Sequence, residues 1–433
     1  MLRDFLSTLA NSWTVIILGF LVAFAVTWYV IPSIVHTSML KNLGAVSNGR
    51  TSHKNPTPTL GGIAVFAGFV FSTVLIAGTF FDMELMYLIC GMAIILFIGI
   101  KDDILVVDPW KKLTGQIIAS SIVIIFADIR IDNFYGLFGI NQIPYLFSVA
   151  FSAFVFLVIV NGINLIDGID GLASGIGILV SSIFGSWFWL TGNNAEAALC
   201  FALVGSLIAF FYFNVFSKKN KLFLGDTGSL LTGFLLGIFA FRVFQLNQHV
   251  NDSYFIKSVP AVVSGILILP LFDTLRVFSI RILQGKSPFA ADRQHIHHRI
   301  LQVGFTHIQA TILLLSVNII FIALNFLLQG IGILNLMLFN LGLASLLSYA
   351  LFIEARNRTR KKQSTEYIFE GTWKKEILSR SKTKDSVGSI EIEEESQLKS
   401  TDPEDGKELT KKNIPEVLPV DKKEEKFAEI RTE

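Results

Sequence analysis

Charged residues are scarce in this 433-residue chain, and they are unevenly placed. Asp, Glu, Lys and Arg make up 16% of it, whereas an average soluble domain carries about 25%. Hydrophobic residues make up 52%, and long stretches without charge give way to a charged segment from about Arg356. This contrast excludes an ordinary soluble protein and predicts a lipid-embedded body followed by a solvated tail.

Cysteine is also scarce. Cys90 and Cys200 both lie inside apolar runs, so neither a disulfide framework nor a paired-cysteine metal site is expected. The N-terminus lacks a strong basic region and a small-residue cleavage site, which favours a first spanning helix over a cleaved signal peptide. The net charge of +2 gives no indication of a nucleic-acid partner.

Long apolar runs recur along the chain. A helix needs about 20 mostly apolar residues to cross the hydrocarbon core of a bilayer. The sequence therefore predicts an all-α, polytopic integral membrane protein of about eleven transmembrane helices, with residues 1–355 as the transmembrane domain. The predicted spans are residues 13–34, 59–80, 84–100, 113–128, 145–162, 172–191, 196–216, 228–246, 259–283, 308–328 and 331–354.

Lysine and arginine fall almost entirely on alternate loops. Apart from the N-terminus, the opposite loops hold only Arg130 and Lys257. Because short cytoplasmic loops are rich in these residues, we expect the N-terminus outside and the tail, residues 356–433, in the cytoplasm. From about residue 380 the tail is polar and mixed in charge, so it is predicted to be largely disordered. STEYIFEGTWKKEIL is either a short interfacial helix or part of the solvated tail.

Five polar motifs lie on the predicted cytoplasmic side. HKNPTPTLGG, residues 53–62, places Lys54 before a rigid turn. GIKDDILVVDPWKK, residues 99–112, carries the adjacent Asp102 and Asp103. Neighbouring carboxylates repel each other unless a cation or a proton intervenes, so this pair suits a Mg²⁺ or phosphate site. Each motif alone could also be an ordinary charged rim of the membrane domain.

The third motif, NGINLIDGIDGLASG, is the most specific. Asn161, Asn164, Asp167 and Asp170 recur every third residue, which on a helix would place them along one face. Two aspartates at the centre of a spanning helix would cost about 5 to 7 kcal/mol. We therefore expect them to face a watery, cation-containing cleft rather than to serve packing.

The last two motifs combine charge with backbone donors. GDTGS, residues 225–229, opens a predicted helix, where N–H groups and the Asp226 carboxylate could hold a metal ion and a phosphate together; simple helix capping is the alternative. ADRQHIHHRI, residues 291–300, clusters histidine and arginine, which suits diphosphate binding better than zinc. Asp273 and Arg276, three apart in a predicted span, are expected to pair with each other, with cleft lining as the alternative.

The motifs KNPTPTLGG, KDD, NGINLIDGIDGL, FLGDTGS and DRQHIHH, in this order, resemble those of the polyprenyl-phosphate N-acetylhexosamine-1-phosphate transferases. The resemblance covers residues from about 30 to 355. Within the family, the histidine motif is more similar to the branch that transfers GlcNAc-1-phosphate or a related sugar. The branch that transfers phospho-MurNAc-pentapeptide usually has adjacent histidines, whereas Ile296 interrupts the cluster here.

The resemblance implies a reaction between UDP-N-acetylhexosamine and undecaprenyl phosphate that yields undecaprenyl-diphospho-N-acetylhexosamine and UMP. It would take place at the inner (plasma) membrane of a bacterium, on the cytoplasmic face, as the first membrane step of a cell-envelope glycan pathway. Both substrates are anionic, so Mg²⁺, with Mn²⁺ as the alternative ion, is the implied cofactor. A monomer and a homodimer both remain open.

The resemblance also implies residue roles. Asp102, Asp103 and Asp226 would be catalytic, with Asp102 as the base for the lipid phosphate, and Asp226 and Asn161 would bind the metal. The implied substrate-binding residues are Lys54 and Lys112 for phosphates, Asn164, Asp167 and Asp170 for the nucleotide cleft, Phe223 for the uracil, and His295, His297 and His298 for the diphosphate or sugar.

Two alternatives stay open at this level. The donor could instead be UDP-MurNAc-pentapeptide, which would make the protein the transferase of peptidoglycan synthesis. Outside this class, an ion-coupled membrane transporter could use intramembrane aspartates as an ion path. Transporters more often show internal repeats, and the sequence displays no such repeat.

Overall fold

The computed structural model describes residues 13–41, 43, 57–77, 83–105, 107–250, 253–285, 295–358 and 360, all within one compact unit, Met1–Lys361. In these residues the chain is almost entirely helical, which confirms the all-α membrane class. Within the described ranges, eight helices are long and apolar enough to span a bilayer, and one bent pair would make nine. The predicted count of eleven stays a prediction, as does the boundary at residue 355.

The helices follow the apolar runs, and a two-stranded hairpin interrupts them. The elements are α1 (Trp13–Leu40), α2 (Gly61–Ala77), α3 (Met83–Ile104), α4 (Pro109–Ser121), β1 (Asn133–Leu137), β2 (Ile140–Gln142), α5 (Tyr145–Ile166), α6 (Leu172–Leu190), α7 (Asn194–Val215), α8 (Gly225–Leu246), α9 (Val259–Ile266), α10 (Ile268–Leu283), α11 (Ile296–Val303), α12 (His307–Leu328) and α13 (Ile333–Arg358). A π-helical turn, Ile122–Phe126, extends α4, and β1 pairs antiparallel with β2.

Helix α8 forms the centre of the bundle. Within its most apolar stretch 83% of the residues are buried, against 17% for the peripheral α13. Helix α2 crosses α8 closely, since a Cβ added at Gly62 would lie 2.1 Å from the backbone nitrogen of Gly228. Only glycine permits this approach, and it brings the start of α2 against the first turn of α8.

The predicted span 259–283 is two helices, α9 and α10, that meet at an angle of 85°. A break exposes backbone carbonyls that must find partners inside the bundle. The side chain of Asn318 donates to the carbonyl of Ile266 (3.1 Å) and that of Asn340 to the carbonyl of Ala261 (3.3 Å). Asn340 and Asn325 also exchange amide hydrogen bonds of 2.8 and 2.9 Å. Buried asparagines on α12 and α13 therefore stabilise the bend.

The end of the bundle that carries the hairpin is separate from the polar motifs. Here Arg242, near the end of α8, forms ion pairs with Glu84 and Glu196 at the starts of α3 and α7. The Tyr135 hydroxyl of the hairpin donates to the carbonyl of Phe244 (2.5 Å). Helix α8 is thus held at this end, while its first turn lies at the other.

Candidate active site

The first turn of α8 gathers several of the sequence motifs. The TPTLGG stretch lies along residues 222–225, with Phe223 N donating to the carbonyl of Pro58 (2.8 Å) and Gly61 N donating to that of Phe223 (3.0 Å). Gly225 has φ of +72°, and a Cβ there would lie 1.9 Å from the carbonyl oxygen of Thr59. The positive φ and the close carbonyl both require glycine, which explains the first residue of the GDTGS motif.

Asp103, on the adjacent helix α3, fixes the start of α8. Its Oδ1 accepts the backbone N–H of Asp226 (2.8 Å), and its Oδ2 accepts the backbone N–H (3.0 Å) and the hydroxyl (2.6 Å) of Thr227. The first N–H groups of a helix have no partner within the helix. Asp103 therefore accepts the backbone N–H groups that were predicted to bind a phosphate. Through these bonds it also sets the position of the neighbouring Asp226 carboxylate.

Lys112 is the cation at the centre of the carboxylates. Its ammonium lies 2.7 Å from Asp226 Oδ1, 2.9 Å from Asp102 Oδ2 and 3.4 Å from Asn164 Oδ1. Burial lowers the pKa of Lys112, but Asp226 and Asp102 outweigh that effect, so its pKa lies above the usual value. Lys112 is therefore charged at any physiological pH, and it links α3, α4, α5 and α8.

The asparagines of α5 have different surroundings. Asn164 donates to Asp226 Oδ1 (2.5 Å) and to the hydroxyl of Ser229 (2.8 Å), so it belongs to the carboxylate cluster. Asn161 lies one turn earlier and pairs with the buried Gln116 through bonds of 2.7 and 3.2 Å. The structure thus brings Asn164 to Asp226, while the described contacts of Asn161 are to Gln116 and its own helix.

Asp167 and Asp170 lie on a turn rather than along a helix face. Helix α5 ends at Ile166 and α6 begins at Leu172, so the helical run that the spacing of three predicted stops before both aspartates. Asp170 binds the ammonium of Lys221 (2.7 Å) and lies 3.8 Å from His307 Nδ1. Burial would raise the pKa of Asp170, but His307 and Lys221 outweigh it and hold that pKa below the usual value.

Asp167 differs from Asp170 in its electrostatics. Burial, and then the negative charges of Asp226, Asp103 and Asp170, raise the pKa of its carboxyl well above the usual range. Among the described residues no ion pair or hydrogen bond to this carboxyl occurs, although it is only partly accessible to solvent. A carboxyl in this position would gain most from a cation or a hydrogen-bond donor supplied by a ligand.

The histidine motif lies against the same turn. A Cβ added at Gly168 would lie 2.2 Å from His297 Nε2, so the His297 ring packs directly on that residue. His297 stacks at 5.8 Å on the buried His295 and lies 4.2 Å from the ring of His298. Burial, followed by the neighbouring His298, lowers the pKa of His297 to about 3, so this ring is neutral at physiological pH.

Of the other predicted substrate residues, Phe223 is described and Lys54 is not. Lys54 lies outside the described residues, as does Arg293. Phe223 is half-buried, and the Lys221 ammonium lies 5.8 Å from the centre of its ring. The same lysine binds Asp170, so Phe223 and the Asp170 turn border one region.

The donor set of this cluster fits magnesium. Mg²⁺ prefers oxygen ligands and uses one or two carboxylates together with waters and substrate phosphates. Asp226, with a third of its side chain exposed, and Asp167, whose carboxyl has no partner among the described residues, supply such oxygens. Among the described residues no three His, Cys, Asp or Glu side chains converge as a closed metal cage.

Several interacting residues were not singled out from the sequence. Gln116, His307 and Asn214 lie in apolar or unremarkable contexts; Asn214, for example, accepts the N–H of Gly171 (2.7 Å) and donates to the carbonyl of Leu222 (2.9 Å). Asp273 was expected to pair with Arg276 and does so (2.8 Å), but it also binds His295. For Asn214 and Gln116, a polar residue beside apolar neighbours was the only signal in the sequence.

Comparison with known proteins identifies the family of this chain. A family model described as glycosyl transferase family 4 matches residues 85–244, which include Asp102, Asp226 and the α5 motif. Undecaprenyl-phosphate alpha-N-acetylglucosaminyl 1-phosphate transferase of Escherichia coli (strain K12) is 30% identical over 279 residues, or 63% of this chain and 74% of that protein.

Two further relatives match over similar lengths. The transferase of the same description from Yersinia pestis is 30% identical over 62% of this chain and 72% of that protein. The probable undecaprenyl-phosphate N-acetylglucosaminyl 1-phosphate transferase of Bacillus subtilis (strain 168) is 29% identical over 71% of this chain and 83% of that protein. These matches confirm the resemblance of the motifs: the chain is a multi-pass membrane protein that belongs to glycosyl transferase family 4 and, within it, to the polyprenyl-phosphate N-acetylhexosamine-1-phosphate transferases.

Proposed function

We propose that this protein transfers GlcNAc-1-phosphate from UDP-GlcNAc to undecaprenyl phosphate and releases UMP. The observation that carries the proposal is the cluster of Lys112, Asp102, Asp226 and Asn164. It joins three sequence motifs at one end of the bundle, and the DGIDG turn with the histidines adjoins it. The names of the relatives agree with the lipid acceptor and the sugar.

The proposed reaction brings two anions together. An oxygen of the lipid phosphate attacks the phosphorus that bears the sugar, and the bond to UMP breaks. Phosphoryl transfer of this kind needs positioning and neutralisation more than covalent chemistry by the protein. Lys112 supplies a fixed positive charge between the two carboxylates. Mg²⁺, held by Asp226 with Asn161 or the nearby Asp167, would supply further neutralisation of the diphosphate.

The remaining residues position groups, accept a proton or bind substrate in this proposal. Asp103 holds the first turn of α8 and thereby Asp226, and Asp102 is the proposed base for the lipid phosphate. The second pKa of a phosphate is about 6, so this base matters mainly below neutral pH. Phe223 would stack on the uracil, and Lys54 would contact phosphate. His297, which is neutral, would act as a hydrogen-bonding partner of the donor rather than as a cation.

The two substrates also define a place for the site. Undecaprenyl phosphate lies in the bilayer and the UDP-sugar in the cytosol, so they meet only at the cytoplasmic surface. Together with the lysine and arginine bias of the loops, this supports a cytoplasmic site in a bacterial inner membrane.

The direct test uses the purified full-length protein in detergent. It is incubated with undecaprenyl phosphate and radiolabelled UDP-GlcNAc, UDP-GalNAc or UDP-MurNAc-pentapeptide, with Mg²⁺, with Mn²⁺ or with EDTA. With UDP-GlcNAc as the donor, we expect a lipid-linked product and a stoichiometric amount of UMP. Both should form with Mg²⁺ or Mn²⁺ and not with EDTA. Asp226→Asn should abolish transfer, whereas Asp128→Asn, an exposed aspartate of the opposite end, should leave it unchanged. Transfer from UDP-MurNAc-pentapeptide alone would assign the protein to peptidoglycan synthesis instead.

A further inference from the structure

Asp273 makes more contacts than an ion pair with Arg276 requires. It lies on α10, close to the 85° break, and its side chain is 3% exposed. Its Oδ1 accepts from Arg276 (2.8 Å) and from the backbone N–H of Ile296 (3.1 Å). Its Oδ2 lies 2.9 Å from His295 Nδ1. Oδ1 thus binds Arg276 and the start of α11, and Oδ2 binds the ring of His295.

The contact determines which nitrogen of His295 carries a proton. A carboxylate can only accept, so the His295 nitrogen that faces it, Nδ1, must be the donor. Nε2 is then the nitrogen left for a ligand. In catalytic and metal sites, a carboxylate that accepts a hydrogen bond from one ring nitrogen of a histidine fixes the tautomer and the orientation of that ring.

His295 is connected to the carboxylate cluster through its neighbour. Its ring lies parallel, within 8°, to that of His297. The His297 ring in turn packs on Gly168, between Asp167 and Asp170. Rotation of the His295 ring would therefore disturb the ring that borders the proposed donor site.

We propose that Asp273 is a positioning residue for sugar-phosphate transfer, which holds His295 with the proton on Nδ1 and Nε2 available to the UDP-sugar. The identity of the ligand in this inference rests on the proposed function. The tautomer of His295 does not, because it is a property of the protein alone.

The first experiment is the substitution Asp273→Asn. The backbone N–H of Ile296 and the Arg276 guanidinium both need an acceptor, so the amide oxygen of the introduced side chain should take the place of Oδ1. Its NH₂ group should then face His295, and the proton of His295 must move to Nε2. We expect turnover to fall about 10- to 100-fold, as for other orienting partners, while the thermal unfolding midpoint in detergent stays close to that of the wild type. Asp273→Ala, which also removes the cap of α11, should lower both.

A double-mutant cycle separates action through His295 from a general effect. In a His295→Gln background, Asp273→Asn should have almost no further effect on turnover, because the residue through which it acts is already gone. Independent effects that multiply would overturn the inference, as would unchanged turnover in the single variant.

The second experiment does not depend on activity. ¹⁵N spectra of histidine-labelled protein distinguish the two tautomers, and the His295→Gln spectrum identifies the signal of His295 among the seven histidines. The proton should reside on Nδ1 in the wild type and on Nε2 in Asp273→Asn. A wild-type ring protonated on Nε2 alone would refute the positioning role, even if the protein transfers GlcNAc-1-phosphate as proposed. Absence of transfer together with the expected tautomer shift would refute the proposed function instead.

Discussion

Replacement of Asp103 by alanine should destabilise the protein as well as inactivate it. Asp103 accepts three hydrogen bonds at the start of α8, two of them from backbone N–H groups. Thr227, which provides two of the donors, is fully buried. An N–H group left without an acceptor costs about 1 to 3 kcal/mol, so two give about 2 to 6 kcal/mol. Water that enters the space of the lost side chain would bring the value to the lower half of this range.

The matched control is Asp108→Ala. Asp108 also caps a helix, since its side chain accepts the backbone N–H of Trp110 (2.9 Å), but it does so locally and in contact with solvent. Loss of such a cap costs about 1 kcal/mol. The free energy of unfolding of both variants is measured by denaturant titration in mixed micelles. Equal losses in the two variants would refute the view that Asp103 anchors the buried end of α8.

Thr227→Val refines the same measurement. It removes one donor to Asp103 and leaves the two backbone bonds, so it should cost about 1 kcal/mol. Combined with Asp103→Ala it should add less than it does alone, because the hydroxyl has then already lost its acceptor. Full additivity would show that the hydroxyl contact contributes nothing to the anchor.

Three further predictions concern the site itself. Gly168→Ala would place a Cβ 2.2 Å from His297 Nε2 and should lower transfer at least about tenfold, whereas Gly330→Ala, with open space around it, should leave transfer unchanged. The pKa of His297 is about 3 in the folded protein, whereas its ordinary value is 6.5. Between these two pH values the unfolded chain therefore binds more protons than the folded protein. The free energy of unfolding accordingly decreases as the pH falls through this range. His297→Gln should therefore reduce the difference in unfolding free energy between pH 7 and pH 5; an unchanged difference would contradict the buried neutral ring. Lys112→Met should lower turnover at least about 100-fold at saturating donor, whereas the exposed neighbour Lys111→Met should be nearly silent; equal effects in the two variants would remove Lys112 from the site.

Hydropathy predicted the membrane class because burial in lipid leaves a strong local signal in the chain. The bend between α9 and α10 left no such signal: the run 259–283 is apolar throughout most of its length and resembles one span. The break is stabilised by the side chains of Asn318 and Asn340, which donate hydrogen bonds to carbonyls more than 50 positions earlier in the chain. A partner this distant cannot be inferred from local pattern, so the sequence predicted one continuous span.

The candidate site shows the same division between local and distant information. Residue types and motif order predicted that Asp226, Lys112 and Asn164 belong to one site, and the structure brings these three together. The spacing of three in the α5 motif predicted a helix face, but α5 ends at Ile166, before Asp167. The link from Asp103 to the α8 start joins residues 123 apart, which no spacing rule addresses.

The close crossing of α2 and α8 has a consequence for biogenesis. The backbone of residues 58–62 bonds to residues 223 and 224, about 160 positions later in the chain. At a synthesis rate of about 5 to 20 residues per second, α2 leaves the ribosome roughly 10 to 30 s before its partner exists. During that interval its glycine face and the N–H groups of Gly61 and Gly62 have no native partner. Insertion factors that shield short helices with unsatisfied polar ends should therefore associate with nascent chains that stop before α8 and release those that extend beyond it.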